Sequence, residues 1–234
     1  MSTQVWSVFD EQAGIWIADY RVGAARARSI CVRLVNDNYA IVSPGKSLAT
    51  KSKDFFAKNV PQILVAPNSV HNMGLKAWQE SFTNAISVCS HAAKKRLRKL
   101  GHTNMQNLKS LKTLLPDYIN IVEVPGSRLG EIWFVVKGEK GTTWIVCDGM
   151  MNICILPKNI FGRTLLRFLN MAPGLRFTRQ WKWLFIKSRR NFRKWILGLL
   201  DSHPPQNLIP AHGDIISQQD LTQKIRQQIT KSFG

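Results

Sequence analysis

Hydrophobic and polar residues alternate with a period near two through the first part of the chain. "QVWSVFD", "GIWIADYRV", "ARSICVRLVND" and "YAIVSPG" are rich in β-branched and aromatic residues, with turn residues between them. This pattern predicts a β-meander. "SLATKSKDFFAKNV" predicts a short helix with Ser47 as its N-cap. "QILVAPN" is a continuous apolar run rather than an alternating one, so it predicts a buried strand. "LKAWQESFTNA" then predicts a helix, "AISVCS" a strand, and "HAAKKRLRKLG" a basic helix that Gly101 can end. The polar stretch from His102 to Pro116 predicts loop with a helical turn.

Three more strands follow, "DYINIVEVPG", "GEIWFVVKG" and "TTWIVCDG", the last two joined as a hairpin around "KGEKGTT". Between Arg163 and Lys194, Trp181, Leu184, Phe185, Phe192 and, beyond them, Trp195, Ile196 and Leu199 recur at spacings of three and four or their sums. That spacing predicts an amphipathic helix with a basic outer face. "QNLIPAHGD" predicts a short strand and loop, and a polar helix from about Gln218 to Ser232 closes the chain. No repeat of fixed short period and no low-complexity linker interrupts the sequence, which favours one domain over residues 1–234. Within it, two halves each run from strands to helices. The expected class is α/β (α+β): a four-layer αββα sandwich, two mixed sheets face to face with helices outside.

Composition changes this picture in two ways. The 33 Lys and Arg against 14 Asp and Glu give a net charge of +19. A charge of that size attracts polyanions, whether nucleic acid or anionic membrane, and is silent about fold. It is concentrated: between Arg163 and Lys194 there are ten basic residues and no acidic one. No base-reading motif accompanies it, so nonspecific binding is the expectation for nucleic acid. The four cysteines, Cys31, Cys89, Cys147 and Cys154, form no C-x-x-C pair and lie in or beside apolar segments. They read as reduced, buried thiols of a cytoplasmic protein rather than a zinc-thiolate site. The opening "MSTQVWSVFDEQ" has no basic region followed by an apolar core, and no apolar run is long enough to span a bilayer.

Candidate chemistry lies in three loops, each ending an expected strand: "APNSVHNMG", "CDGMMN" and "PAHGD". Strand-end loops on a rigid scaffold are where binding residues collect. They offer His71, Asp148 and His212, and two imidazoles with a carboxylate are an ordinary zinc or iron set with a position open for water. Each residue also has a simpler reading. Either histidine alone fits a loop residue bonded to backbone, Asp148 fits the cap of a following helical turn, and Gly74 and Gly213 fit tight turns. His91 and His102 read as surface residues and His203 as part of a turn. Asp214 reads as a loop-solvating residue.

The order of these motifs resembles the metallo-β-lactamase superfamily, in which an H-x-H-x-D-H loop, a G-H-T-P-G-like loop, an aspartate-ended strand and a final A-H-G or G-H-G loop succeed one another. "VAPNSVHNMGL", "PGSRLGE", "IVCDGMM" and "LIPAHGD" fall at the corresponding places, so the resemblance covers most of the chain. The departures are specific. Pro67, Ser69 and Ser127 stand where histidines of the first metal site would be, which implies that this site is absent. His71, Asn72, Asp148 and His212 stand at the second site, which implies one divalent ion, zinc, iron or manganese, with Asn72 as a weak ligand or as a guide for bound water. "APN...H" with degenerate metal motifs further resembles a divergent branch of the superfamily.

The resemblance implies a single-metal hydrolase acting on an ester, thioester, lactone or phosphoester of a small-molecule substrate, with Asp148 catalytic as a proton acceptor. Two alternatives stand beside it. One is an inactive member of the fold, a binding or regulatory module with no metal. The other is a protein that works through its basic 163–194 surface on nucleic acid or anionic membrane.

Overall fold

A computed structural model describes residues 5–23 and 25–234. By its internal contacts the chain divides into two compact units, Met1–Ile121 and Val122–Gly234, each with its own sheet and helices.

The first unit begins as the expected meander: β1 (Ser7–Asp10), β2 (Ile15–Val22), β3 (Ala25–Arg33) and β4 (Tyr39–Val42), paired antiparallel in succession. Gln4, the first residue of the predicted opening strand, lies outside the described residues. Helix α1 (Leu48–Lys51) leads to β5 (Pro61–Val65), α2 (Leu75–Ser81) to β6 (Ile86–Cys89), and α3 (His91–Lys99) to β7 (Gln106–Asn107); α4 (Lys109–Lys112) follows. From β4 onward each new strand pairs parallel to the last, because a helical crossover returns the chain to the same end of the sheet. The continuous apolar run is β5, whose Ile63, Leu64 and Val65 are fully buried. Ser47 occupies the N-cap position of α1 without a side-chain cap bond. Ser90 does cap α3, its hydroxyl accepting from the Ala93 N–H at 3.2 Å. Gly101, in the left-handed region at φ +92°, ends that helix as expected. The unit's core is aromatic, with Trp6, Phe56 and Trp78 fully buried and meeting edge to face.

The unit boundary falls within β8 (Ile119–Glu123). Next come β9 (Ile132–Gly138) and β10 (Gly141–Val146), the predicted hairpin, with Gly138 opposite Gly141. A short ribbon of β11 (Met151–Ile153) and β12 (Gly174–Arg176) encloses helix α5 (Ile160–Phe168). Helix α6 (Arg189–Ser202) leads to β13 (Asn207–Pro210), β14 (Ile216–Ser217) and α7 (Leu221–Phe233). The sheet order is β14-β13-β10-β9-β8, with β13 parallel to β10. Trp133, Trp144, Trp181, Phe177 and Phe192 centre its core, together with one face each of α6 and α7.

Along the basic segment 163–194, the amphipathic helix expected from the spacing of Trp181 to Leu199 forms only from Arg189 onward. The segment is α5, a turn with Asn170 at φ +52°, strand β12, a π-helical turn at Trp181–Phe185, and then α6. Pro173 and Gly174 break the backbone pattern that a helix would need. The apolar spacing was real but belonged to two separate elements. Cys31, Cys89 and Cys147 are buried as expected, but Cys154 is exposed.

Candidate functional site

In the second unit, β10 and β13 lie side by side in parallel, and each ends in one of the candidate loops. Val146 is paired with Pro210, so Asp148 and His212 leave the sheet at the same edge two residues later. Asp148 Oδ1 lies 3.4 Å from His212 Nε2, and the two side chains are 14% and 20% exposed. Both reach solvent enough to meet a ligand while being held by the sheet edge.

Two buried residues, neither singled out by the sequence, fix these loops. The first is Glu131, immediately before β9 and 1% exposed. Its Oε2 accepts from the Asp148 N–H at 3.0 Å, and its Oε1 accepts from the Gly149 N–H at 2.9 Å and from Trp133 Nε1 at 2.6 Å. A buried carboxylate is tolerated only when its oxygens are satisfied in this way. The turn carrying Asp148 is therefore wrapped around an anchored anion. Gly149 is required by that approach, since a Cβ there would stand 2.9 Å from both Glu131 Oε1 and the Trp133 ring. After this turn the chain enters β11, so Asp148 does not cap a helical turn.

The second is Asn152 in β11, 6% exposed. Its N–H donates to the His212 carbonyl at 3.2 Å, its carbonyl accepts from the Asp214 N–H at 2.7 Å, and its side-chain amide donates to the Asp214 carbonyl at 2.8 Å. Gly213 sits between them at φ +93°, and a Cβ there would be 2.0 Å from the Asn152 carbonyl oxygen. The glycine of "AHGD" thus serves a close backbone approach as well as a turn. Asp214 takes part in this lock through its backbone. His203 likewise contributes its carbonyl, which accepts from Trp144 Nε1 at 3.0 Å.

In the first unit, the loop after β5 holds His71 and Asn72. Asn68 is fully buried, and its Oδ1 accepts from the N–H groups of Val70 at 2.9 Å and His71 at 3.0 Å, an Asx turn that shapes the loop. The His71 Nδ1 is 2.8 Å from the hydroxyl of Ser43, itself 3.2 Å from the Tyr20 hydroxyl. A ligand to His71 would therefore take the other ring nitrogen. Asn72 Nδ2 donates to the Ser69 carbonyl at 2.8 Å, and its Oδ1 is 3.2 Å from His102 Nε2. Since that oxygen can only accept, His102 carries its proton on Nε2. His102 is thus a half-buried partner of Asn72 and not the surface residue expected, while His91 is exposed. Burial lowers the His102 pKa from its ordinary 6.5. Gly74 is fixed by the Pro44 carbonyl, which a Cβ would meet at 1.9 Å.

Ser69 and Ser127, expected in place of first-site histidines, are both buried. Ser69 is fully buried with its hydroxyl unpaired, and Ser127 Oγ accepts from the Glu131 N–H at 3.1 Å. Cys147, directly before Asp148, is buried beside Asp148 and Glu131, and its thiol pKa is pushed well up, first by burial and then by the two carboxylates.

No family model and no curated protein matches this chain. Solved structures do. A metallo-β-lactamase from Erythrobacter litoralis superposes with a TM-score of 0.65 at 10% identity, over 97% of this chain and 96% of that one. The metallo-β-lactamase FIM-1 from Pseudomonas aeruginosa, solved in its mono-zinc form, gives 0.61 at 11% identity over 97% and 94%. The flavodiiron core of Flv1 from Synechocystis gives 0.60 at 12% identity, over 96% of this chain and 61% of that one. At these identities the likeness concerns architecture alone: the chain has the αββα fold of the metallo-β-lactamase superfamily.

Proposed function

We propose that this protein is a single-metal hydrolase in which Asp148 and His212, joined by His71, hold one divalent ion. One observation carries the reading. Two ligands at 2.0–2.2 Å from a tetrahedral ion stand about 3.3–3.6 Å apart, and Asp148 Oδ1 and His212 Nε2 are 3.4 Å apart. A carboxylate oxygen and an imidazole nitrogen are also a chemically suitable pair for zinc or iron. The mono-zinc form of FIM-1 and the flavodiiron core of Flv1 support one-metal and iron chemistry on this fold. Manganese is a third candidate.

A bound ion would supply Lewis acidity, lowering the pKa of a nearby water and polarising the scissile carbonyl or phosphoryl group. The chain's own residues do the rest. His71, held at Nδ1 by Ser43, presents its remaining nitrogen. Glu131 holds the Asp148 turn through two backbone N–H groups, so the Asp148 carboxylate keeps its place while accepting the proton of the attacking water. Water adds to the acyl or phosphoryl centre, the bond to the alcohol, thiol or lactone oxygen breaks, and that group leaves with a proton. Asn72, turned by Ser69 and His102, orients water beside His71. The substrate class is an ester, thioester, lactone or phosphoester.

The test is metal content. Untagged protein, dialysed in turn against zinc, iron and manganese, is expected to retain roughly one equivalent by elemental mass spectrometry, and His212→Ala or His71→Ala should lose it with unchanged circular dichroism. Failure of the wild-type protein to load any of the three, or retention by His212→Ala, would overturn the assignment in favour of an inactive binding module.

A further inference from the structure

The second unit contains two consecutive basic, amphipathic helices with opposite fates. Helix α6 turns Phe192, Ile196, Leu199 and Leu200 into the core. Helix α5 buries no residue at all. Its Phe161, Leu165 and Phe168 follow the i, i+4, i+7 spacing of one helical face and are 79%, 45% and 63% exposed. Arg163 and Arg167, both exposed, occupy the opposite side of the same helix. Asn159 caps α5 by accepting from the Gly162 N–H at 2.5 Å, so the helix is defined locally and needs no core contact to start.

This face does not stand alone. The Arg179 guanidinium lies 5.0 Å over the Phe168 ring, and the Arg179 N–H donates to the Leu169 carbonyl at 2.8 Å. In the following π-helical turn Trp183 is 61% exposed, flanked by Arg189 at 4.1 Å and Lys182 at 5.6 Å from its ring. Beyond it, Arg190, Arg193 and Lys194 line a shallow depression on the outer face of α6. Exposed rings and aliphatic chains thus interleave with cations along this stretch of the chain, and no acidic residue occurs between Arg163 and Lys194.

We propose that this surface binds an anionic lipid bilayer, with the Phe161–Leu165–Phe168 face and Trp183 entering the headgroup boundary and the arginines and lysines pairing with lipid phosphates and carboxylates. The charge fits an anionic partner, and the apolar side chains decide which one. Nucleic acid uses aromatic stacking but gains little from exposed Ile160, Leu165 and Leu184, whereas the bilayer interface rewards both rings and aliphatic chains. No helix among the described residues is long and apolar enough to cross a membrane, so the association would be peripheral.

The experiment is co-sedimentation of the full chain with vesicles of phosphatidylcholine alone or of phosphatidylcholine with phosphatidylserine. The expected result is binding to the anionic vesicles, falling steeply with salt. The F161S/L165S and R167E/R193E double variants, both altered only at exposed positions, should each bind about tenfold more weakly or worse. Trp183 fluorescence should be quenched by brominated lipid in the wild type and the difference lost in W183F. Three results would overturn the proposal: equal binding to neutral vesicles, undiminished binding by F161S/L165S, or no binding to the anionic vesicles, in which case tight binding of a short RNA or self-association abolished by F161S/L165S would name the other occupant.

Discussion

The candidate residues in the two units are held by different physics. In the second unit the Asp148 turn is clamped around a buried charge, and the His212 loop is locked by a glycine pressed against a carbonyl. In the first unit the His71 loop is organised by neutral groups: an Asx turn from Asn68, the Ser43 hydroxyl, and an Asn72–His102 bond. Charge-assisted bonds and a close backbone approach fix a position more tightly than neutral amide and hydroxyl contacts do. Asp148 and His212 are therefore held more firmly than the neutral contacts hold His71.

Breaking the charged clamp should have the largest effect. Glu131→Ala leaves the Asp148, Gly149 and Trp133 N–H groups without their acceptor and is expected to cost about 3 kcal/mol or more, read as a lower urea midpoint together with weakened metal retention. Glu131→Gln keeps the shape, loses the charge and turns an amide N–H₂ toward donors, so it should fall between Ala and wild type. Next comes Gly213→Ala. It forces an L-residue into the left-handed region against the Asn152 carbonyl, for about 1–3 kcal/mol, visible as a lower melting temperature. If the alanine variant melts like wild type, the proposed lock on His212 is not there.

In the first unit, Asn68→Ala should cost about 1–2 kcal/mol by removing the acceptor of two N–H groups. The melting curve should move less than in Glu131→Ala, and a reversal of that order would break the comparison. The smallest effect is a pH dependence. Burial lowers the His102 pKa below 6.5, so the folded state favours the neutral ring. The unfolded chain then takes up a proton more readily. The contribution is complete above pH 6.5 and is lost as pH falls through the window between 6.5 and the lower folded value. His102→Gln should remove that part of the slope in denaturation midpoints measured across this window, while an unchanged slope would assign it to other groups.

Several features could be read directly from the residues. Period-two alternation gave the meander of β1 to β4, the unbroken apolar run gave β5, and the glycines around Glu139 and Lys140 gave the β9–β10 hairpin. The positions of "CDG" and "AHGD" at strand ends made Asp148 and His212 candidates, because a polar group at the end of a buried strand is legible in the local pattern, and the structure brings the two within 3.4 Å. Glu131 was not legible. A glutamate before an apolar strand looks like any solvated strand end, and only the folding of the β10 loop back over β9 shows that it is buried and saturated with donors. Asn152 and His102 were missed for the same reason, since their partners are distant in sequence.

The same division explains the basic segment. Sequence by itself determined that the region is amphipathic and cationic, since hydrophobic spacing and charge are local properties. It could not determine which apolar faces have a partner. Burial is a property of what packs opposite: the apolar stripe of α6 lies in the core, and that of α5 lies in water. Spacing marks a face as apolar, and only the tertiary structure decides whether that face is inside.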